Sequence, residues 1–381
     1  MYTICHLSSV HRGLDIRIYR KECVALAQAG FAVHLVIDAS AADVAEAAQA
    51  GVTVHPLNRP GQATPGRLAR VLQQAARCRR MAAALNADLY HFHDPELIPH
   101  GLWLRQRGKQ VIYDVHEDVR ADIASKPWIP APLRAVVGTT VRGLEQLAAR
   151  RLSALVVATP HIGALLGPHA AQLAVIHNYP IQNEMNATAL STNHVRDSVC
   201  YVGAITATRG IRQVVQALEL EPATLLLAGQ FDSPALRTEL QSYPGWRHVH
   251  ACGLLNRQGV ADVMARSFCG LVTLLPEPNY LNALPIKLFE YMAAGLPVIA
   301  SDFPLWRNII NDAACGLCVD PQRPADIAAA IRHLRRHPEL ARQMGQNGQR
   351  AVASRYRWDR EAKKLVVLYD SLLAGSRVQA R

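Results

Sequence analysis

The sequence predicts an α/β protein built from two doubly wound parallel-sheet domains that face a cleft. A chain of 381 residues exceeds the roughly 250–300 residues at which a single core stops growing, so two domains of similar size are expected. Half of the residues are apolar and 19% are charged, a globular balance that excludes a disordered chain. Short β-branched runs alternate with helical periodicity through most of the length, the pattern of βαβ units.

The elements follow in order. Strand candidates in the first half are Tyr2–Leu7, Ala32–Ile37, Val52–Pro56, Leu89–His93, Gln110–Val115, Ala154–Thr159 and Leu173–His177. Helices lie between them, among them Asp15–Ala29, stopped by Gly30, and Pro65–Leu85. The polar, aperiodic stretch Ile181–Ser198 reads as an interdomain linker between residues 1–180 and 199–355. A second alternation then begins, with strands Val199–Ala204, Thr224–Ala228, His248–Cys252, Leu271–Leu275, Val298–Ser301 and Leu317–Val319. Three helical stretches close the chain, the last being Trp358–Ala374. No period of 20–50 residues recurs, which excludes solenoids and propellers.

No apolar run reaches the ~18 residues of a membrane span, and Met1–His6 lacks the basic start of an export signal. A cytoplasmic protein is expected. The eight cysteines are scattered and offer one close pair, Cys315 and Cys318. Without a second pair they read as reduced and structural. The formal charge is +11, and 35 of the 41 basic residues are arginine. That balance suits an acidic partner: lipid, nucleic acid or a phosphorylated substrate. An arginine bias on solvated helix faces accounts for it equally well. No aromatic-studded basic patch or nucleic-acid motif is present, so nucleic acid is not an expected partner. Basic, partly apolar stretches at Arg67–Arg80 and at Lys126–Arg134, the latter leading into a helix with Arg142, Arg150 and Arg151, suit a peripheral contact with an anionic membrane.

In doubly wound sheets ligands sit beyond the carboxyl ends of strands, which directs attention to five stretches. The most informative is Asn282–Ser301, which reads as a loop, a helix opening at Pro285, a stop at Gly295 and a buried strand. The N-terminus of such a helix attracts anions, and Lys287 adds a full charge in its first turn. Glu290 shares the Lys287 face and can accept two hydroxyls, as a ribose offers. From spacing alone, a surface Lys–Glu pair remains open. The second stretch, Val202–Ile211, follows the first strand of the second domain. It places Gly203 in a loop and Arg209 at the start of the next helix, suited to a diphosphate. In the first domain, His93 and Asp94 end one strand and His116 ends another. His-x-His-Asp suggests a metal site, yet no third ligand stands at suitable spacing, so none is assigned. The first loop, with His11 and Asp15, lacks Gly-x-Gly-x-x-Gly, which disfavours a dinucleotide-dependent dehydrogenase.

Residues 282–301, with Pro304-Leu305-Trp306-Arg307 behind them, closely resemble the C-terminal signature of the retaining glycosyltransferases of family 4. Those enzymes have the GT-B fold of two Rossmann-like domains. Arg209-Gly210 is similar to the family's Lys-Gly, His116 to its active-site histidine, and Tyr356-Arg357-Trp358 to the entry of a terminal helix that crosses back to the first domain. The resemblance implies a hexosyltransferase without a cofactor, acting in surface polysaccharide or lipopolysaccharide synthesis; the lack of Asp-x-Asp, with Arg209 and Lys287 at expected helix starts, predicts that transfer needs no metal. A nucleoside-diphosphate sugar is its implied donor and a glycan or lipid-linked molecule its acceptor. Glu290 is then implied to hold the donor ribose, Arg209 and Lys287 the diphosphate, with Gly203, Asn282, Leu284 and Ile286 lining the donor. His116 meets the sugar, and His11, Asp15, His93 and Asp94 lie on the acceptor side. Two positions depart from the family pattern. Asn282 stands where the family has a glutamate and cannot act as a carboxylate nucleophile. Ala204 stands where many relatives have arginine. An epimerase or phosphorylase of the same fold, and a non-catalytic nucleotide-sugar binder, are the alternatives.

Overall fold

The computed structural model describes residues 1–57, 67–125, 129–181 and 196–379. Most of the linker read at Ile181–Ser198, the start of the helix read at Pro65, and Lys126–Trp128 lie outside the described residues. The chain divides into two compact units. Unit 1 comprises Met1–Asn178 with Asp359–Arg381, and unit 2 comprises Tyr179–Trp358.

Unit 1 is built on β1 (Thr3–Arg12), β2 (Ala32–Asp38), β3 (Val52–Pro56), β4 (Leu89–Phe92), β5 (Gln110–Val115), β6 (Ala154–Val157) and β7 (Leu173–Val175). All pairs are parallel, in the order β3-β2-β1-β4-β5-β6-β7. β4, β5 and β6 are buried along nearly their whole length, which is why they read as continuous apolar runs. β1 runs five residues beyond its expected end at Leu7, because its register shifts there and Arg12 pairs with Asp38. The terminal helix Trp358–Gln379 belongs, from Asp359 on, to unit 1.

The first helix departs from expectation in its winding. Ile16–Cys23 is a π-helix and only Val24–Gln28 is α-helical; the Arg20 amide donates five residues back to the Asp15 carbonyl at 3.2 Å. Asp15 caps it, its Oδ1 accepting from the amides of Arg17 and Ile18 at 2.8 and 2.9 Å.

Unit 2 is built on β8 (Ser198–Val202), β9 (Leu225–Ala228), β10 (Val249–Gly253), β11 (Ser267–Val272), β12 (Val298–Ser301) and β13 (Gly316–Val319). They are parallel in the order β10-β9-β8-β11-β12-β13. β11 begins and ends earlier than the expected Leu271–Leu275. In both units the strand order reverses beside the first strand, at β1/β4 and at β8/β11, the switch point where such sheets open to ligands.

Candidate functional site

In unit 2 the site starts from β8. The Val202 amide at its end donates to the Tyr291 hydroxyl at 2.8 Å, which pins the strand end to the helix Ile286–Ala293. Gly270 on β11 makes room for that tyrosine: a Cβ there would stand 2.4 Å from the ring. Beyond β8, Gly203 has φ +116°, and a Cβ on it would lie 3.6 Å from Arg209 Nη1 and 3.8 Å from Lys287 Nζ. A glycine, an arginine and a lysine from two separate segments therefore converge around one backbone position.

Arg209 does not open the following helix as expected. It ends a 3-10 turn, Ala207–Arg209, and Gly210 at φ +75° caps the helix Ile211–Leu220. Pro285 likewise stands at the cap of Ile286–Ala293, one position before the first helical residue. Lys287 is buried, and its Nζ has no hydrogen-bond partner among the described residues. It sits 3.8 Å over the Tyr201 ring, a favourable but weak substitute for an anion. Burial, with Arg209 next in size, holds its pKa well below the ordinary lysine range.

Glu290 is buried and bonded by Arg257, whose Nη1 lies 2.8 Å from Oε1. Its partner is this arginine rather than Lys287, which removes the simple surface-pair reading. Arg257 stands 33 residues earlier in the chain and had no signal in the sequence. Leu284 and Ile286 are half-buried and Asn282 is exposed just after the short helix Pro278–Leu281. The Trp306 indole donates to the Ala283 carbonyl at 2.7 Å and anchors this loop.

In unit 1, His11, His93, Asp94 and His116 come together at the ends of β1, β4 and β5. His93 and His116 stack at 5.4 Å, and His11 meets His116 edge-on at 6.0 Å. Asp94 accepts from the Ser8 hydroxyl at 2.9 Å and the Ser9 amide at 2.6 Å, and pairs with His11 at 3.1 Å. Burial opposes its charge, but His11 and the serine donors hold its pKa at about 2. Burial likewise opposes protonation of His11, yet Asp94 raises it to about 8. His116 is the reverse case: burial outweighs the Asp114 carboxylate 3.4 Å away and keeps the imidazole neutral, at about 3. Asp15, expected among these groups, is occupied by its capping role.

Several residues of this region were missed by sequence reasoning. Asp114 accepts two bonds from Arg17, at 3.0 and 2.8 Å, and lies 3.2 Å from His93. Glu22, His6 and His91 lie next to them, fully buried. The alternation Asp114-Val115-His116 was the available signal, since residues two apart share a sheet face.

Among known families, residues 186–351 match the family described as glycosyl transferases group 1, and residues 17–179 match the glycosyl transferase 4-like domain. Alpha-D-kanosaminyltransferase of Streptomyces kanamyceticus is 29% identical over 183 residues, 46% of this chain and 45% of that protein. Phosphatidyl-myo-inositol mannosyltransferase of Mycobacterium leprae is 31% identical over 159 residues, 41% of this chain and 40% of that protein. The matched segments thus span less than half of either relative. Among solved structures, sucrose-phosphate synthase from Thermosynechococcus elongatus has a TM-score of 0.77 at 20% identity, covering 98% of this chain and 100% of that one. Anabaena HepE in complex with UDP-glucose has 0.72 at 15%, covering 97% and 100%. The glycosyltransferase WaaG, involved in lipopolysaccharide biosynthesis, has 0.67 at 15%, covering 96% and 99%. Two parallel sheets of matching order and two family matches that together run from residue 17 to residue 351 place the chain among the group 1, family 4 glycosyltransferases of the GT-B fold.

Proposed function

We propose that the protein transfers a hexose, with retention, from a nucleoside-diphosphate sugar to a glycan or lipid-linked acceptor in surface polysaccharide or lipopolysaccharide synthesis. The observation that carries this reading is the convergence of Gly203, Arg209 and the buried, unbonded Lys287 amino group. Two cations and a Cβ-free approach suit a diphosphate, whose charge rises as it leaves. HepE holds UDP-glucose, which supports a nucleotide sugar as donor, and WaaG acts in lipopolysaccharide synthesis, which supports the pathway. Glu290, oriented by Arg257, takes the ribose hydroxyls.

Fixed cations do the work that a metal does in other transferases. Arg209 and Lys287 stabilise the departing nucleoside diphosphate, and a donor phosphate oxygen takes the acceptor proton. Asn282 lacks a carboxylate, so no covalent glycosyl–enzyme intermediate forms there. The neutral imidazole of His116 serves as a hydrogen-bonding group towards the sugar. His11, His93 and Asp94 belong to the acceptor side.

Thermal-shift screening against uridine, guanosine and adenosine diphosphate sugars tests the donor, since a bound ligand raises apparent stability by mass action. The stabilising donor then enters a transfer assay with EDTA, the metal content of the same sample being measured. Transfer persists in EDTA, while Arg209→Ala and Lys287→Ala each lower its rate roughly 10²–10³-fold. Loss in EDTA that magnesium or manganese restores overturns the metal-free mechanism.

A further inference from the structure

Beside the acceptor-side residues of unit 1 lies a second, buried constellation that shares only His93 with them. His6 on β1 is the register partner of His91 on β4, and His93 follows two residues on, on the same face. Glu22 comes from the π-wound helix, and all four are buried. One ligand atom from each lies within 4.8 Å of all the others. His6 Nδ1 is 3.0 Å from His93 Nε2 and 4.0 Å from Glu22 Oε2, and His91 Nδ1 is 3.8 Å from Glu22 Oε2. A tetrahedral metal with bonds of about 2.0–2.2 Å sets its ligands about 3.3–3.6 Å apart, so the longer of these separations close and the 3.0 Å contact opens when a cation binds.

The polar accounting of the pocket is incomplete without a ligand. Among the described residues neither oxygen of Glu22 accepts a hydrogen bond, although Arg17 Nε stands 3.1 Å from Oε1. The nearest imidazole nitrogens stand 3.8 and 4.0 Å from Oε2, beyond hydrogen-bond distance. The surrounding groups are arranged as an outer shell. With His93 Nε2 on a metal, its Nδ1–H donates to Asp114 Oδ2 at 3.2 Å, itself fixed by Arg17. With His6 Nδ1 on the metal, its Nε2–H donates to the Tyr369 hydroxyl at 3.1 Å. Carboxylate and hydroxyl partners of this kind orient metal-bound histidines. His91 exchanges its 2.6 Å Tyr369 bond for the fourth coordination position. A second group, His93, Asp114 and His116, also converges, but Arg17 already occupies both Asp114 oxygens.

We propose that unit 1 binds one structural divalent cation through His6, His91, His93 and Glu22, tying β1 and β4 to the first helix. Three imidazoles and one carboxylate in a closed site suit zinc, with cobalt(II) as a spectroscopic replacement. All four ligands belong to unit 1, whereas Arg209 and Lys287 belong to unit 2.

The test uses the full chain without an affinity tag, purified without chelator. Elemental analysis is expected to find about one equivalent of zinc per chain, and protein refolded with cobalt(II) to show tetrahedral visible bands, since structural sites bind as they fold. His6→Asn and Glu22→Gln lose the metal and the bands. Should a variant fail to fold, the wild-type arm still decides. Protein from zinc-supplemented cells carrying below about a tenth of an equivalent, and refolding to the same Tm with or without zinc, overturns the proposal.

Discussion

A lysine ammonium buried without a hydrogen-bond acceptor persists only if some other group meets its charge or its proton is given up. Lys287 has the Tyr201 ring at 3.8 Å and the Arg209 cation nearby, and its pKa is held well below the ordinary range. A diphosphate reverses the balance by adding negative charge beside it. Between the lowered pKa and the ordinary value, nucleotide binding therefore takes up a proton, and affinity weakens as pH rises, by at most about tenfold per unit. Calorimetry of UDP binding in two buffers of different ionisation enthalpy is expected to give different apparent enthalpies. Lys287→Arg, which stays charged throughout, is expected to abolish that difference. Equal enthalpies for the wild type count against a lowered Lys287. Glu145 gives a second pH signature, this time in stability. It is buried beside Tyr113, and burial raises its pKa from 4.5 to about 7 despite Arg142. A raised folded-state value means a stabilising contribution that is complete below pH 4.5 and lost as pH rises to about 7. Glu145→Gln is expected to be more stable than the wild type at pH 8, by roughly 3 kcal/mol at most. The gain should vanish near pH 4.5. Thermal melts across pH read it, and a gain independent of pH rejects the assignment.

At the scale of elements, Gly210 joins the turn that carries Arg209 to the helix behind it. Its φ is +75°, and a Cβ would stand 1.9 Å from the Thr273 carbonyl oxygen. Gly253 provides the control: its φ is +70°, and a Cβ there would meet nothing within 4 Å. A left-handed backbone alone costs a residue with a Cβ roughly 1–2 kcal/mol. Gly253→Ala is expected to show that cost, while Gly210→Ala loses more stability and also weakens nucleotide binding. Equal melting shifts in the two variants remove the close-packing argument. The same scale shows what the sequence made legible. The parallel strands were visible from their apolar runs, and the motif around Lys287 pointed to a helix start after a loop. The histidine cluster was only half visible. His91/His93 and Asp114/His116 alternate within single strands, but the register that sets His6 opposite His91 is a tertiary choice. Glu22 was hidden by winding. Ordinary α-helical turning sets residues five apart about 140° from each other, whereas i→i+5 bonding draws Arg17 and Glu22 towards one side. Glu290 pairing with Arg257 depends on a helix 33 residues away in sequence, which no local pattern reports.

For the whole molecule, the question left by a charge of +11 is which acidic partner it meets. Among the described residues no helix is long and apolar enough to cross a membrane. The helix Ala131–Arg151 instead leaves Leu133, Val136, Val137, Leu144 and Leu147 between 37% and 62% exposed. These positions stand three, four, eleven and fourteen residues on from Leu133 and so lie on one face of the helix. Arg150 and Arg151 are exposed in its last turn. An apolar stripe beside basic residues suits the surface of an anionic bilayer, where each basic residue contributes about 1 kcal/mol and salt screens the attraction. The lipid-linked acceptor proposed above would give such a contact a purpose. The protein is expected to float with vesicles containing anionic lipid, to be released by salt, and to remain behind with neutral vesicles. Val136→Glu and Leu144→Glu alter exposed positions, so folding should be unaffected while flotation falls. Equal recovery with anionic and neutral vesicles, or flotation unchanged in both variants, rejects this helix as the membrane contact.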